Sequence, residues 1–115
     1  MKIYIAGPYQ AHQVTNHDAV RVSCQNVQRA IEMGVKLIEK GHNPYIPHFS
    51  HFLHINMDHD IEKHWSDLDL EWLRCCDAIL LLPTWETSEG AWVELREAQR
   101  LKLKVFYHLW EVPNI

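Results

Sequence analysis

Ala78-Ile79-Leu80-Leu81-Leu82-Pro83 is the stretch that decides the fold. Five apolar residues run without a polar break and stop at a proline. A strand with one solvated face alternates in polarity, whereas a strand covered on both faces does not. The run therefore predicts a buried strand in a parallel sheet. Just before it, residues 59–76 carry a helical pattern, with Ile61, Trp65, Leu68, Trp72 and Cys75 or Cys76 as the expected apolar stripe. Just after it, residues 89–102 predict another helix, with Ala91, Leu95, Ala98 and Leu101 on one side. Further out, residues 2–6 read as a first strand ending at the turn signal Gly7-Pro8. Val27, Ile31, Gly34, Leu37 and Ile38 mark a long helix that stops at Gly41. A short strand follows at 43–46, closed by Pro47, and a last one is expected at 104–108. Strands alternate with helices, so the chain is read as an α/β protein, one domain over 1–115, with a parallel sheet flanked by helices. In such sheets ligands sit beyond the carboxyl ends of the strands. The loops at 7–15, 47–57 and 83–90 should then hold the site.

Composition narrows the partners. The 115 residues carry a net charge of −4 and are 47% hydrophobic. No run of Lys or Arg forms the basic stripe of a nucleic-acid polymer binder. No segment approaches the roughly 18 apolar residues a membrane span needs, and the first strand is too short for a signal peptide. Cys24, Cys75 and Cys76 are odd in number, with two adjacent, which suits reduced thiols better than a disulfide framework. A soluble, cytoplasmic protein acting on a small molecule is expected. Five Trp in so short a chain suit a subunit interface.

Four constellations could carry chemistry. Ser88-Glu89-Gly90-Ala91-Trp92-Val93-Glu94 opens a helix after the buried strand. Ser88 is a plausible N-cap at an anion-favouring helix start. Gly90 and Glu94 are four apart and share a face, so Glu94 can look over the gap that Gly90 leaves. Asp69 borders an apolar stripe, where partial desolvation would raise its pKa and suit it to proton donation. Two carboxylates in one pocket could cleave a glycosidic bond, one trapping the sugar and one protonating the leaving group. Gly7-Pro8-Tyr9 follows the first strand, and the Tyr9 hydroxyl could orient a carboxylate or hold a sugar. The fourth constellation is His48, His51, His54, His59 and His64. It lacks the nearby Cys or two-His helix motif of zinc sites, so it is read as pocket wall or surface, with no metal. Phe49, Phe52 and Trp85 could stack on a base.

Three of these motifs in order resemble a known family. Met1-Lys2-Ile3-Tyr4-Ile5-Ala6-Gly7-Pro8-Tyr9, then Asp69-Leu70-Glu71-Trp72-Leu73-Arg74-Cys75-Cys76-Asp77-Ala78, then Ser88-x-Gly90-x-x-x-Glu94 are similar to the nucleoside 2-deoxyribosyltransferase superfamily, including its 2′-deoxynucleoside 5′-phosphate N-hydrolase branch. The resemblance runs to about residue 105. It implies a flavodoxin-like or Rossmann-like sheet of four to five strands. It implies Glu94 as nucleophile at the anomeric carbon, Asp69 as the carboxylate assisting departure of the base, and Tyr9 in the loop that meets the sugar. Gly7, Pro8, Ser88, Gly90, His48, Phe49 and Trp85 complete the expected substrate contacts. Ser88 matches the position that binds a 5′-phosphate in the N-hydrolase branch. The loop Gly7–His12 lacks that branch's Arg, leaving His12 or Arg21 to assist, and its Gly-Pro-Tyr opening is closer to the transferases. The resemblance also implies a homodimer or higher homo-oligomer and no cofactor. The expected activity is N-glycosidic cleavage of a nucleoside or its 5′-monophosphate. Base exchange by a transferase, a non-catalytic nucleotide-binding module, and a metal-dependent hydrolase built on the histidines are the alternatives. The enzymatic expectation requires residues 69 and 94 to open onto one site.

Overall fold

The buried run at 78–82 does occupy the interior of the sheet. In the computed structural model, which describes residues 1–9, 16–50 and 62–115, strand β3 (Ala78–Leu81) is buried along its whole length. It pairs in parallel with β1 (Lys2–Ala6) on one side and β4 (Lys104–Phe106) on the other. β2 (Asn43–Tyr45) pairs with the far edge of β1, giving the order β2-β1-β3-β4. Strand order reverses between β1 and β3, which is the switch point where α/β sheets open a crevice. Three helices among the described residues connect the strands: α1 (Asn16–Glu39), α2 (Glu62–Leu73) and α3 (Glu89–Arg100). The α/β expectation therefore holds, with four strands among the described residues. No helix among the described residues is long and apolar enough to cross a membrane.

The two faces of the sheet have separate cores. Ile3, Ile5, Ala78, Leu80 and Leu82 pack with Ala30 and Leu37 of α1 and with Val112. Tyr4, Ala6, Ile79 and Leu81 pack with Leu73 and Cys76 at the end of α2 and with Leu95 and Ala98 of α3. Alternate residues of β1 and β3 thus serve opposite faces, which is why both strands read as continuous apolar runs.

Local signals fixed several boundaries. α1 ends as expected at Gly41, whose φ of +93° is the left-handed conformation that glycine enters without strain. The His42 N–H reaches back to the Leu37 carbonyl at 3.0 Å and closes the turn. Ser88 caps α3, its Oγ accepting from the Ala91 N–H at 3.2 Å.

The expected stripe of the second helix needs correction. Leu68 and Trp72 are exposed, at 41% and 51%, and the buried side of α2 is instead Leu73 with Leu70, continued by Cys76. Cys76 packs at the helix end as expected, whereas Cys75 faces solvent. Ile61 lies outside the described residues, as does the side chain of Trp65.

Gly7 has a packing role at the end of β1. A Cβ there would lie 2.7 Å from the Leu82 Cβ. The Leu82 N–H is tied to the Ala6 carbonyl at 2.8 Å, so the two segments cannot easily move apart. Gly7→Ala should destabilise the fold by about 1–3 kcal/mol, the usual cost of overpacking. A lowered midpoint in urea with an unchanged m-value is the expected result.

Candidate active site

Two tyrosines on neighbouring strands form the floor of the site. The β1–β2 register pairs Tyr4 with Tyr45. Their rings stack at 5.5 Å on the face covered by α2 and α3. Trp72 of α2 lies over the other face of Tyr45, also at 5.5 Å and nearly parallel to it. The side chain of Tyr4 is fully buried, and a buried phenol needs a partner for its hydroxyl. It donates to Glu94 Oε2. The Tyr45 hydroxyl donates to Asp69 Oδ1 at 3.5 Å.

Glu94 from α3 and Asp69 from α2 therefore meet above one aromatic platform, although 25 residues separate them in sequence. Their charges feel each other. Burial pushes the Glu94 carboxyl up to about 8; the Tyr4 hydroxyl opposes this and the Asp69 charge adds to it. Burial likewise lifts Asp69 to about 6, against the pull of the Tyr45 hydroxyl. Tyr4 is held well above its ordinary value by burial, then by Glu94 and Asp69. Tyr45 is raised to about 12, first by burial and then by Asp69. The partial desolvation expected of Asp69 is present. A pair of carboxyls with separated pKa values in one niche is the usual arrangement for dividing acid and nucleophile roles.

Around this pair the other expected residues fall into place unevenly. Gly90 is exposed, and a Cβ on it would meet nothing nearer than Ser88 Oγ at 3.8 Å. Its missing side chain leaves open space beside the Ser88 hydroxyl, one helical turn before Glu94. Ser88 Oγ is engaged as the N-cap acceptor, which leaves its hydroxyl proton available to another group. The hydroxyl found on Glu94 is that of Tyr4, whereas the sequence offered Tyr9 for carboxylate orientation. The Tyr9 carbonyl accepts a bond from Asn26 Nδ2 at 3.0 Å, and its ring meets His48 edge-on, with ring centroids 6.3 Å apart. His48 Nε2 donates to the Pro8 carbonyl at 3.2 Å, fastening the loop after β1 to the 3-10 turn Pro47–Phe49. Burial drives the His48 pKa down to about 4, so the ring is neutral at pH 7, and its Nδ1 has no hydrogen-bond partner among the described residues.

The two described rings offered for base stacking differ. Phe49 is half exposed. Trp85 packs on the sheet core and against Trp92 and Tyr107, with centroids at 4.6 and 6.1 Å. Phe52, His12, His51, His54 and His59 lie outside the described residues, as does the side chain of His64. Arg21 is exposed on α1. No group of three potential metal ligands occurs among the described residues.

Sequence reasoning misses Tyr4 and Tyr45. Tyr4 has a usable signal: a phenol inside an otherwise aliphatic buried strand must find a polar partner on one face. Tyr45 has no such signal, because its role arises from strand register.

Comparison with known proteins follows the same lines. A family profile described as a domain of unknown function (DUF4406) matches residues 1–107. No curated protein matches the chain. Among solved structures, the chain is similar to a 2-desoxiribosyltransferase from Leishmania mexicana, with 25% identity and a TM-score of 0.52. That likeness covers 90% of this chain and 61% of the other, so the chain spans less than two thirds of its neighbour's length. The likeness bears out the resemblance to the nucleoside 2-deoxyribosyltransferase superfamily and its fold.

Proposed function

The chain belongs to the DUF4406 family, and from its carboxylate pair we propose that it cleaves the N-glycosidic bond of a nucleoside or nucleoside 5′-monophosphate. The observation that carries this reading is the convergence of Glu94 and Asp69 over the stacked Tyr4 and Tyr45. The likeness to a 2-desoxiribosyltransferase supports the same substrate class.

The residues take the following roles. Tyr4 holds Oε2 of Glu94, which leaves Oε1 as the attacking oxygen. Glu94, ionised, attacks C1′ of the sugar. The C1′–N bond breaks and its electron pair goes to the base. Asp69, protonated, delivers its proton to the departing base or to the path leading to it. The result is a glycosyl ester on Glu94. Water attacking C1′ gives the free sugar and restores the carboxylate; a second base attacking C1′ gives a new nucleoside. The open space at Gly90 and the hydroxyl of Ser88 offer room for the sugar or a 5′-phosphate beside the nucleophile. Tyr9, Pro8 and the neutral His48, joined to one another after β1, are assigned to substrate contact, and the half-exposed ring of Phe49 is assigned to stack on the base. No cofactor enters the scheme.

The test is incubation of the protein with a panel of nucleosides and 5′-monophosphates, with and without a second free base, followed by chromatography. Free base released in water marks a hydrolase. Exchange that depends on the added base marks a transferase. Tight binding with no turnover in either arm would defeat the catalytic reading and leave a nucleotide-binding module.

A further inference from the structure

Tyr45 is tied to Asp69 by more than its hydroxyl. Its ring is sandwiched between Tyr4, anchored in the core of β1, and Trp72, which lies three residues after Asp69 on α2. Positions i and i+3 share a helix face. The same stretch of α2 therefore supplies both the acceptor for the Tyr45 hydroxyl and the cover for the Tyr45 ring. This arrangement leaves the ring little freedom to turn away. It also gives a large, half-exposed Trp a task that core packing does not explain.

We propose that Tyr45 is a positioning residue, which acts through Asp69 by holding its carboxyl toward Glu94 above the tyrosine platform. The proposal rests on the reading above in making Asp69 the group that serves the leaving base. The groups that face Asp69 come from every element packed around it: Tyr45 from β2, Tyr4 from β1 and Glu94 from α3. Cys76 also faces the Tyr45 hydroxyl from the end of α2. Two other charged neighbours, one on α2 and one just past its end, are directed elsewhere. Glu71 pairs with Arg74, and Arg74 reaches across to Glu97 of α3 at 3.5 Å. Among the described groups, the Tyr45 hydroxyl is the hydrogen-bond donor that favours the ionised form of Asp69. At 3.5 Å the bond is long for an O–H···O contact, so its electrostatic pull is modest.

Tyr45→Phe keeps the stacked ring and removes only the donor. NMR titration of protein carrying 13C-carboxyl aspartate should show the Asp69 midpoint moving upward by about half a pH unit in this variant. Base release should slow by roughly three- to tenfold as the carboxyl loses its fixed direction. In an Asp69→Asn background the same substitution should change the rate by less than about twofold, because the group it acts through is gone. An unmoved Asp69 midpoint in Tyr45→Phe would overturn the proposal. So would a rate loss of equal size with and without Asp69. The titration requires no turnover, so it stands even if no nucleoside in the panel is cleaved.

Discussion

Glu94→Gln should abolish base release, with a loss on the order of 10⁴-fold or more, and should make the protein more stable at pH 8.5. The first effect follows from chemistry. A neutral amide cannot form the glycosyl ester, and Asp69 is held by a different tyrosine, Tyr45. The second effect follows from burial. The folded-state pKa of Glu94, about 8, lies above its ordinary value of 4.5. The folded protein therefore binds that proton more tightly than the unfolded chain does. Stability linked to this site is fully present below pH 4.5, declines as pH rises from there to about 8, and is flat beyond. Glutamine does not titrate, and its amide oxygen can still accept from Tyr4. The variant should thus match the wild type near pH 4.5 and exceed it at pH 8.5. A pKa difference of one between the folded and unfolded protein is worth about 1.4 kcal/mol at full value. The residual exposure of Glu94 calls for a discount, so about 2 kcal/mol, or roughly 8 °C in Tm, is the expected gap. Thermal melts at the two pH values check it. A gap that does not widen with pH would mean that Glu94 is solvated and its niche is not a desolvated site. A gap that does widen is the pattern expected if Glu94 is a functional group kept at the expense of stability.

Much of this arrangement is legible in the chain itself, and the parts that are not share one cause. The unbroken run at 78–82, the stop at Gly41 and the cap at Ser88 are local signals, each decided by a few consecutive residues and their backbone chemistry. The carboxylate pair is legible only through the family resemblance: spacing puts Glu94 near a helix start and Asp69 on the helix that feeds the buried strand, but does not bring the two together. The tyrosine platform is not legible. It depends on β1 and β2 aligning Tyr4 with Tyr45, and a shift of one residue would turn Tyr45 to the other face. The error on α2 has a related origin. Leu68 and Trp72 make as good a helical stripe as Leu70, Leu73 and Cys76, rotated partway round the axis. Apolarity alone does not choose between them. The structure chooses by giving Trp72 a ring to cover and giving the smaller side chains to the core.

The dependence of kcat/KM on pH should be a bell with apparent limbs near 6 and 8, falling about tenfold per pH unit beyond each. These values belong to the pair. Below 6 both Asp69 and Glu94 carry protons, and above 8 neither does. In the proposed scheme the working form has one proton between them. Most of that form has the proton on Glu94, because its pKa is the higher. The reactive arrangement, with the proton on Asp69 and the charge on Glu94, is the minority. A gap of about two between the pKa values makes it about 1% of the singly protonated protein, and repulsion between the two charges enlarges that share. A developing positive charge at C1′ then favours ionised Glu94 further, at the moment when its charge is needed. The limbs can be assigned by substitution. In Asp69→Asn the alkaline fall should vanish, because no acid remains to be lost. The residual rate, well below that of the wild type, should rise through a single ionisation and stay level. That ionisation should lie below 8, since Asp69 no longer pushes Glu94 upward. The opposite division of labour, with Asp69 attacking and Glu94 donating, makes a different forecast: Glu94→Gln would keep residual turnover and lose the alkaline limb, while Asp69→Asn would be dead. The two profiles measured side by side decide which carboxylate meets the sugar.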